Sequence, residues 1–131
     1  MTTRGKRLKK LVEVQGKLKA LHEARHAGHL ADARRAEDEA QALAGRFQAE
    51  DSLSGLFPEL YHRRIADAVD RGRRRREDAA AEADRLALAS ARTTVVERAY
   101  REAAASEERA AEDRERLEAV ARRRPGGDGA T

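Results

Sequence analysis

Ala49-Glu50-Asp51-Ser52-Leu53-Ser54-Gly55-Leu56-Phe57-Pro58-Glu59-Leu60-Tyr61 holds the one concentration of helix-breaking residues before the C-terminal end of the chain. Asp51, Ser52 and Ser54 carry the short polar side chains that cap helices. Gly55 accepts backbone conformations closed to other residues, and Pro58 lacks the N–H that a helix interior uses. Proline is accommodated in a first helical turn, whose N–H groups have no intrahelical partner, so a new helix is predicted to begin near Leu56. On both sides the chain reads as one long helix. The stretch is therefore the turn of an antiparallel hairpin. It also gathers Leu53, Leu56, Phe57, Leu60 and Tyr61 into a dense apolar cluster, in a chain only 3% aromatic.

Working outward, the spacing predicts a first helix over about residues 4–50, a turn over 51–56 and a second helix over 57–124. Residues 125–131, beginning Pro125-Gly126-Gly127, are predicted to be a disordered tail. In the first helix Leu8, Leu11, Val14, Leu18 and Leu21 recur at steps of three and four. The stripe thins between His22 and Leu30 and resumes with Ala33, Ala36, Ala40, Leu43 and Phe47, a phase slip of the kind that locally unwinds a supercoil. The second helix carries a seam through Tyr61, Ile65, Val69, Gly72, Ala79 and Ala83, continued by Leu86, Ala89, Thr93, Val96 and Tyr100. Folding the chain about Ser54 sets Phe47 opposite Tyr61, Leu43 opposite Ile65 and Ala36 opposite Gly72. Leu11 then falls opposite Val96, and Leu8 opposite Tyr100. Large residues meet large and small meet small. The fold class is all-α: a long antiparallel two-helix coiled-coil hairpin, its second helix longer than the first.

Composition agrees with that class. At 131 residues the chain is one domain by length, 40% charged, without Trp or Cys. Much of its hydrophobic share is alanine, which favours helix and contributes little burial. No apolar run approaches the roughly 20 residues needed to cross a bilayer, so membrane insertion is not expected. The basic start has no apolar segment after it, so no secretory leader is read, and with no cysteines the expected location is cytoplasmic. Acidic and basic residues interleave, and the net charge of +4 does not by itself argue for nucleic acid.

Three features could carry chemistry. His22-Glu23-Ala24-Arg25-His26 satisfies H-E-x-x-H, the zinc-peptidase arrangement of two histidines on one helical turn with a glutamate base, and His29 extends that face. The Gly28-His29 pair is out of place for the longer zinc signature, and a hairpin offers no cleft to shelter a polarised water. The three histidines therefore read as partly exposed helix residues, dispensable for folding, with no catalytic or cofactor role. Arg71 and Arg73 to Arg76 form a basic run, but no aromatics interleave to stack bases, and Glu77, Asp78 and Glu82 offer partners on the same helix. The third feature is the apolar turn. It can close the hairpin against Phe47, yet five large residues exceed what a two-helix tip buries, and the remainder marks a contact surface. No phosphate loop, nucleophile–base pair or carboxylate pair is present, so an enzyme is not expected.

The size, the basic leucine-bearing start Arg7-Leu8-Lys9-Lys10-Leu11-Val12, the central break and the longer second helix with Val96-Glu97-Arg98-Ala99-Tyr100 resemble FliJ-type flagellar export proteins and their type III secretion stalk relatives. The resemblance covers most of residues 4–122 through diffuse motifs. It implies a bacterial coiled-coil stalk with one end in an export ATPase ring and the remainder contacting the export gate and escorting chaperones, peripheral to a membrane export apparatus. By it, Lys6, Lys9, Lys10, Arg114 and Arg116 would face the ring, with Leu56–Tyr61 nearer the gate. Two other functions stay open on the residues: a coiled-coil scaffold that self-associates into a four-helix bundle, and a basic nucleic-acid-binding hairpin.

Overall fold

A computed structural model describes residues 2–51 and 53–123. They form two long helices, α1 (Thr3–Gln48) and α2 (Pro58–Arg123), joined by a short connection containing one 3₁₀ turn, Leu53–Gly55. No strand occurs among the described residues, and the molecule is an all-α helical hairpin with α2 the longer arm. The predicted tail, residues 125–131, lies outside the described residues. So does Ser52.

The turn forms as its residue types dictate. Pro58 is the first residue of α2, and the Phe57 carbonyl accepts the first intrahelical bond, from Tyr61 N–H at 3.3 Å. Phe57 thus occupies the cap position and proline the one beside it, where a missing N–H costs nothing. Ser54 serves the end of α1. Its Oγ donates to the Phe47 carbonyl at 2.7 Å and closes the end of α1, whose last turn tightens through Ala49 N–H to the Arg46 carbonyl at 3.2 Å. Leu56 and Phe57 both donate to the Leu53 carbonyl at 3.0 Å. Gly55 does not use its conformational freedom, since no described residue has positive φ.

Packing falls into two compact units. In the unit Lys17–Ala91, the buried hydrophobic side chains are six alanines, among them Ala33, Ala36 and Ala68, together with Leu43. On α1 the residues drawn inward step by three and four without a break, from His22, His26 and His29 through Ala33, Ala36, Ala40 and Leu43 to Phe47. The phase slip expected between His22 and Leu30 is absent, because the histidines themselves hold the seam. On α2 the inward residues include Tyr61, Ile65, Ala68, Gly72, Ala79, Glu82, Leu86 and Ala89. Two positions differ from expectation: Ala68 replaces the exposed Val69, and Glu82 is buried beside a half-buried Ala83. Phe47 meets Tyr61 as foreseen, ring centroids 6.1 Å apart and tilted by 60°. A Cβ placed on Gly72 would lie 3.7 Å from the Ala36 Cβ and the Ala33 carbonyl oxygen. Glycine against alanine lets the two helix backbones approach closely there.

In the other unit, formed by the chain up to Gly16 and from Arg92 onward, the inward residues of α1 are Gly5, Leu8, Val12 and Gln15. Val12 takes the place expected of Leu11, which is exposed along with Val14. The α2 side presents Thr93, Val96, Tyr100 and Ala103, and Thr93 Oγ1 donates to the Gln15 carbonyl at 3.4 Å. Thr2 caps α1: its Oγ1 accepts from Gly5 N–H at 3.1 Å and donates to Glu107, whose Oε1 also accepts Thr2 N–H at 3.0 Å. Past Glu107 the described polar contacts of α2 are same-helix pairs, Arg116 with Glu112 and Asp113, and Arg122 with Glu118.

The close approach at Gly72 sets a size limit that can be tested. A methyl group meets only ordinary contacts, the nearest a flexible Glu37 carbon at 3.4 Å. Gly72→Ala should therefore stabilise the hairpin by about 0.5–1 kcal/mol through helix propensity. Gly72→Leu should instead destabilise it by about 1–3 kcal/mol through overpacking. Urea titration of both variants checks the reversal of sign.

Candidate docking surface

Within the unit Lys17–Ala91 the connection between the helices gathers apolar side chains that cannot all be covered. Leu56 is 72% exposed, Leu53 60%, Phe57 54% and Leu60 46%, whereas Tyr61 is half-buried against Phe47. The proposed docking residues are thus brought together, four on the surface and one in the hairpin lock. His62 also meets Phe47, with ring centroids 4.8 Å apart and planes tilted by 48°.

Two depressions meet at this surface. One, of about 250 Å³, is walled by Leu43, Leu53, Phe57, Leu60 and Tyr61, with Arg46 and Arg64 at its edge. The other, of about 440 Å³, is shallower and runs over Leu56, Phe57, Pro58 and Leu60 toward Glu59 and Arg63. Phe57 and Leu60 form the wall shared by both. The deeper hollow is smaller than the roughly 300–1,000 Å³ typical of small-molecule sites, and suits one or two inserted side chains. Leu43 and Arg46, which complete it, belong to the last two turns of α1; the turn sequence alone did not single them out.

A larger open groove of about 670 Å³ lies among Asp32, Arg35, Glu39, Arg71, Arg75 and Asp78. Its charges are already satisfied. Arg71 pairs with Glu39 across the helices at 2.8 Å, Arg75 with Asp78 at 3.6 Å and Asp32 at 3.9 Å, and Arg35 with Asp32. Next to it Arg76 clamps Glu37 with bonds of 2.8 and 2.9 Å and holds that carboxyl below the usual glutamate range. Arg73 and then Arg74 do the same to Asp70. The basic run is thus neutralised on its own helix and across the hairpin: Arg73 meets Glu77 at the expected spacing, whereas Arg74 turns to Asp70, Asp78 pairs with Arg75, and Glu82 goes to His22 and Arg85 instead of the run.

The histidine motif resolves differently. His22 is half-buried in the seam, its Nδ1 2.9 Å from Glu82 Oε2, and Arg85 donates to the other carboxylate oxygen at 2.8 Å. Glu82 is only 3% exposed, and its carboxyl is held below the ordinary glutamate value by His22, against the effect of burial and with help from Arg85. His22 therefore has a partner on the opposite helix, which the sequence reading did not give it. Among the described residues no group of three or more ligand-type side chains could hold a metal ion.

Lys6, Lys9, Lys10, Arg114 and Arg116 are all exposed. Arg116 lies within ion-pair range of Glu112 and Asp113 on its own helix. No helix among the described residues is long and apolar enough to cross a membrane. No protein-family model, curated protein or solved structure matches the chain.

Glu82 gives a pH signature. Its folded value lies below the ordinary 4.5, so its contribution is complete above that value and is lost as pH falls through the folded one. Thermal melts of wild type and Glu82→Gln should differ most above the ordinary glutamate range and converge as pH falls below it. A difference independent of pH would assign the effect to packing rather than to the carboxylate.

Proposed function

We propose that this chain is a non-enzymatic docking hairpin, a stalk that presents the apolar surface around Leu56, Phe57 and Leu60 to a protein partner. The observation carrying the reading is the surplus of large exposed side chains at the turn, set over a hollow of side-chain size. Elsewhere in the same unit the core is nearly all alanine, and the polar faces pair with themselves. An apolar cluster of this kind on a charged surface marks a contact site, because leaving it in water is unfavourable. The narrower reading, a stalk component of a flagellar or type III export apparatus in the cytoplasm, rests on the resemblance in size, basic start, central break and longer second helix. Its partners are then an export ATPase, meeting Lys6, Lys9, Lys10, Arg114 and Arg116, and an export gate.

A second reading is supported by α1. Leu11 and Val14, and then Leu18 and Leu21, are exposed at steps of three and four, one residue out of phase with the buried seam. A helix with two apolar phases can pack against two neighbours, and this favours self-association into a four-helix bundle. Nucleic-acid binding has weaker support, since the arginine run is neutralised by its own neighbours.

Replacing Phe57 and Leu60 together by Ala separates these readings. If the turn is the docking surface, affinity for the partner should fall at least about tenfold, because aromatic and aliphatic anchors carry a disproportionate share of interface energy. The thermal melt should move much less, because the alanine seam lies elsewhere. Titrations against the export ATPase and export-gate proteins of the same genome, beside melts of the same variants, measure both. A collapsed melt with unchanged binding per folded molecule would make the cluster a hairpin lock only. Unchanged behaviour together with loss of dimer in a Leu11→Glu, Leu18→Glu variant would favour the self-associating scaffold.

A further inference from the structure

We infer that the occupant of the hollow at the hairpin turn is an acidic amphipathic helix of a protein partner; the inference rests on the docking role proposed above and specifies the partner's chemistry. Two observations lead to it. The first is electrostatic. In this unit the arginines of the 71–76 run and Arg85 are each engaged by a carboxylate. Arg46 and Arg64, which border the hollow, and Arg63, which borders its neighbour, make no ion pair among the described residues. The sole acidic side chain lining either depression is Glu59, on the Arg63 side and in the first turn of α2, where a carboxylate already interacts favourably with the helix end. An apolar hollow edged by two uncompensated guanidinium groups is complementary to a ligand whose apolar residues are flanked by carboxylates, and guanidinium suits carboxylate in a two-pronged geometry.

The second observation concerns backbone. A partner bound in extended form needs a sheet edge to satisfy its own N–H and C=O groups. The described residues contain no strand, and so no sheet edge for an extended partner to lengthen. A helix satisfies its own backbone and asks only for a side-chain hollow, so it is the occupant this surface fits. Such a helix reaches the hollow with apolar residues at i, i+3 or i+4 and i+7, one entering between Leu43 and Tyr61 and another lying over the Phe57–Leu60 wall. Its Glu or Asp residues on the flanks then meet Arg46 and Arg64.

A displayed library of helical peptides, with all surface positions randomised, can be selected against the immobilised full chain. The enriched peptides should be amphipathic and acidic. Their affinity should fall about tenfold in the Arg46→Glu, Arg64→Glu variant and weaken as salt is raised. Both arginines are exposed and make no ion pair among the described residues, so this variant should melt like wild type. Enrichment of neutral or basic peptides, or affinity unaffected by the charge reversal, would overturn the acidic partner. If those peptides still lose binding in Phe57→Ala, Leu60→Ala, the docking surface itself stands. Peptides insensitive to both variants, or no enrichment on folded protein, would overturn the inference and the docking reading together.

Discussion

The contact on which the hairpin depends is Gly72 against Ala33 and Ala36, where α1 and α2 approach with almost nothing between their backbones. Neither side chain has much area to bury. An alanine methyl contributes on the order of 0.8 kcal/mol, against the 1.5–3 kcal/mol of a larger aliphatic side chain. Such a contact stabilises modestly but fixes position strictly, because a one-step shift of either helix brings a larger residue into the same space. Flanking charges add to this selection. Arg76 reaches Glu37 and Arg71 reaches Glu39 only when small residues let the helices come close and in this register. Each exposed pair contributes little alone. Together they make other registers less favourable than the observed one.

Once the alanine region fixes which face of α1 looks at α2, the rest of that face follows by helical geometry, whatever residues occupy it. That is why His22, His26 and His29 lie on the seam. A polar group withdrawn from water must find a partner, and Glu82 on the opposite helix supplies one for His22. The same constraint turns Leu18 and Leu21 outward although they are larger and more apolar than the residues facing in. Helix phase is decided over the whole seam, and local hydrophobicity loses where the two conflict.

This explains what was legible in the sequence. The turn, the two helices to within about two residues at each end and the facing of Phe47 with Tyr61 could be read, because proline, glycine and serine act locally and large aromatic residues are few. The α1 seam before Ala33 could not. Leu11, Val14, Leu18 and Leu21 have a proper coiled-coil spacing of their own, one residue out of phase with the true one, and periodicity cannot rank two good phases. Leu43 and Arg46 went unnoticed at the turn because they lie in regular helix before the helix-breaking residues begin, and only packing of the two helices brings them to the hollow. The cap formed by Thr2 on Glu107 depends on where the two arms meet, which small errors of register would hide.

The apolar residues of the turn differ from those displaced leucines in an instructive way. Leu18 and Leu21 face outward because the alanine seam fixes the phase of α1, and their exposure follows from the fold. Leu53, Leu56 and Phe57 lie outside both long helices, where no seam constrains their direction. A turn needs only the Ser54 bond to Phe47, the tightened carbonyls at Leu53 and the proline that starts α2. Polar residues at 53, 56 and 57 would satisfy the same backbone pattern, and would be favoured in water. The hairpin's geometry therefore accounts for the turn but not for its leucines and phenylalanine, and that surplus is what the proposed docking role rests on.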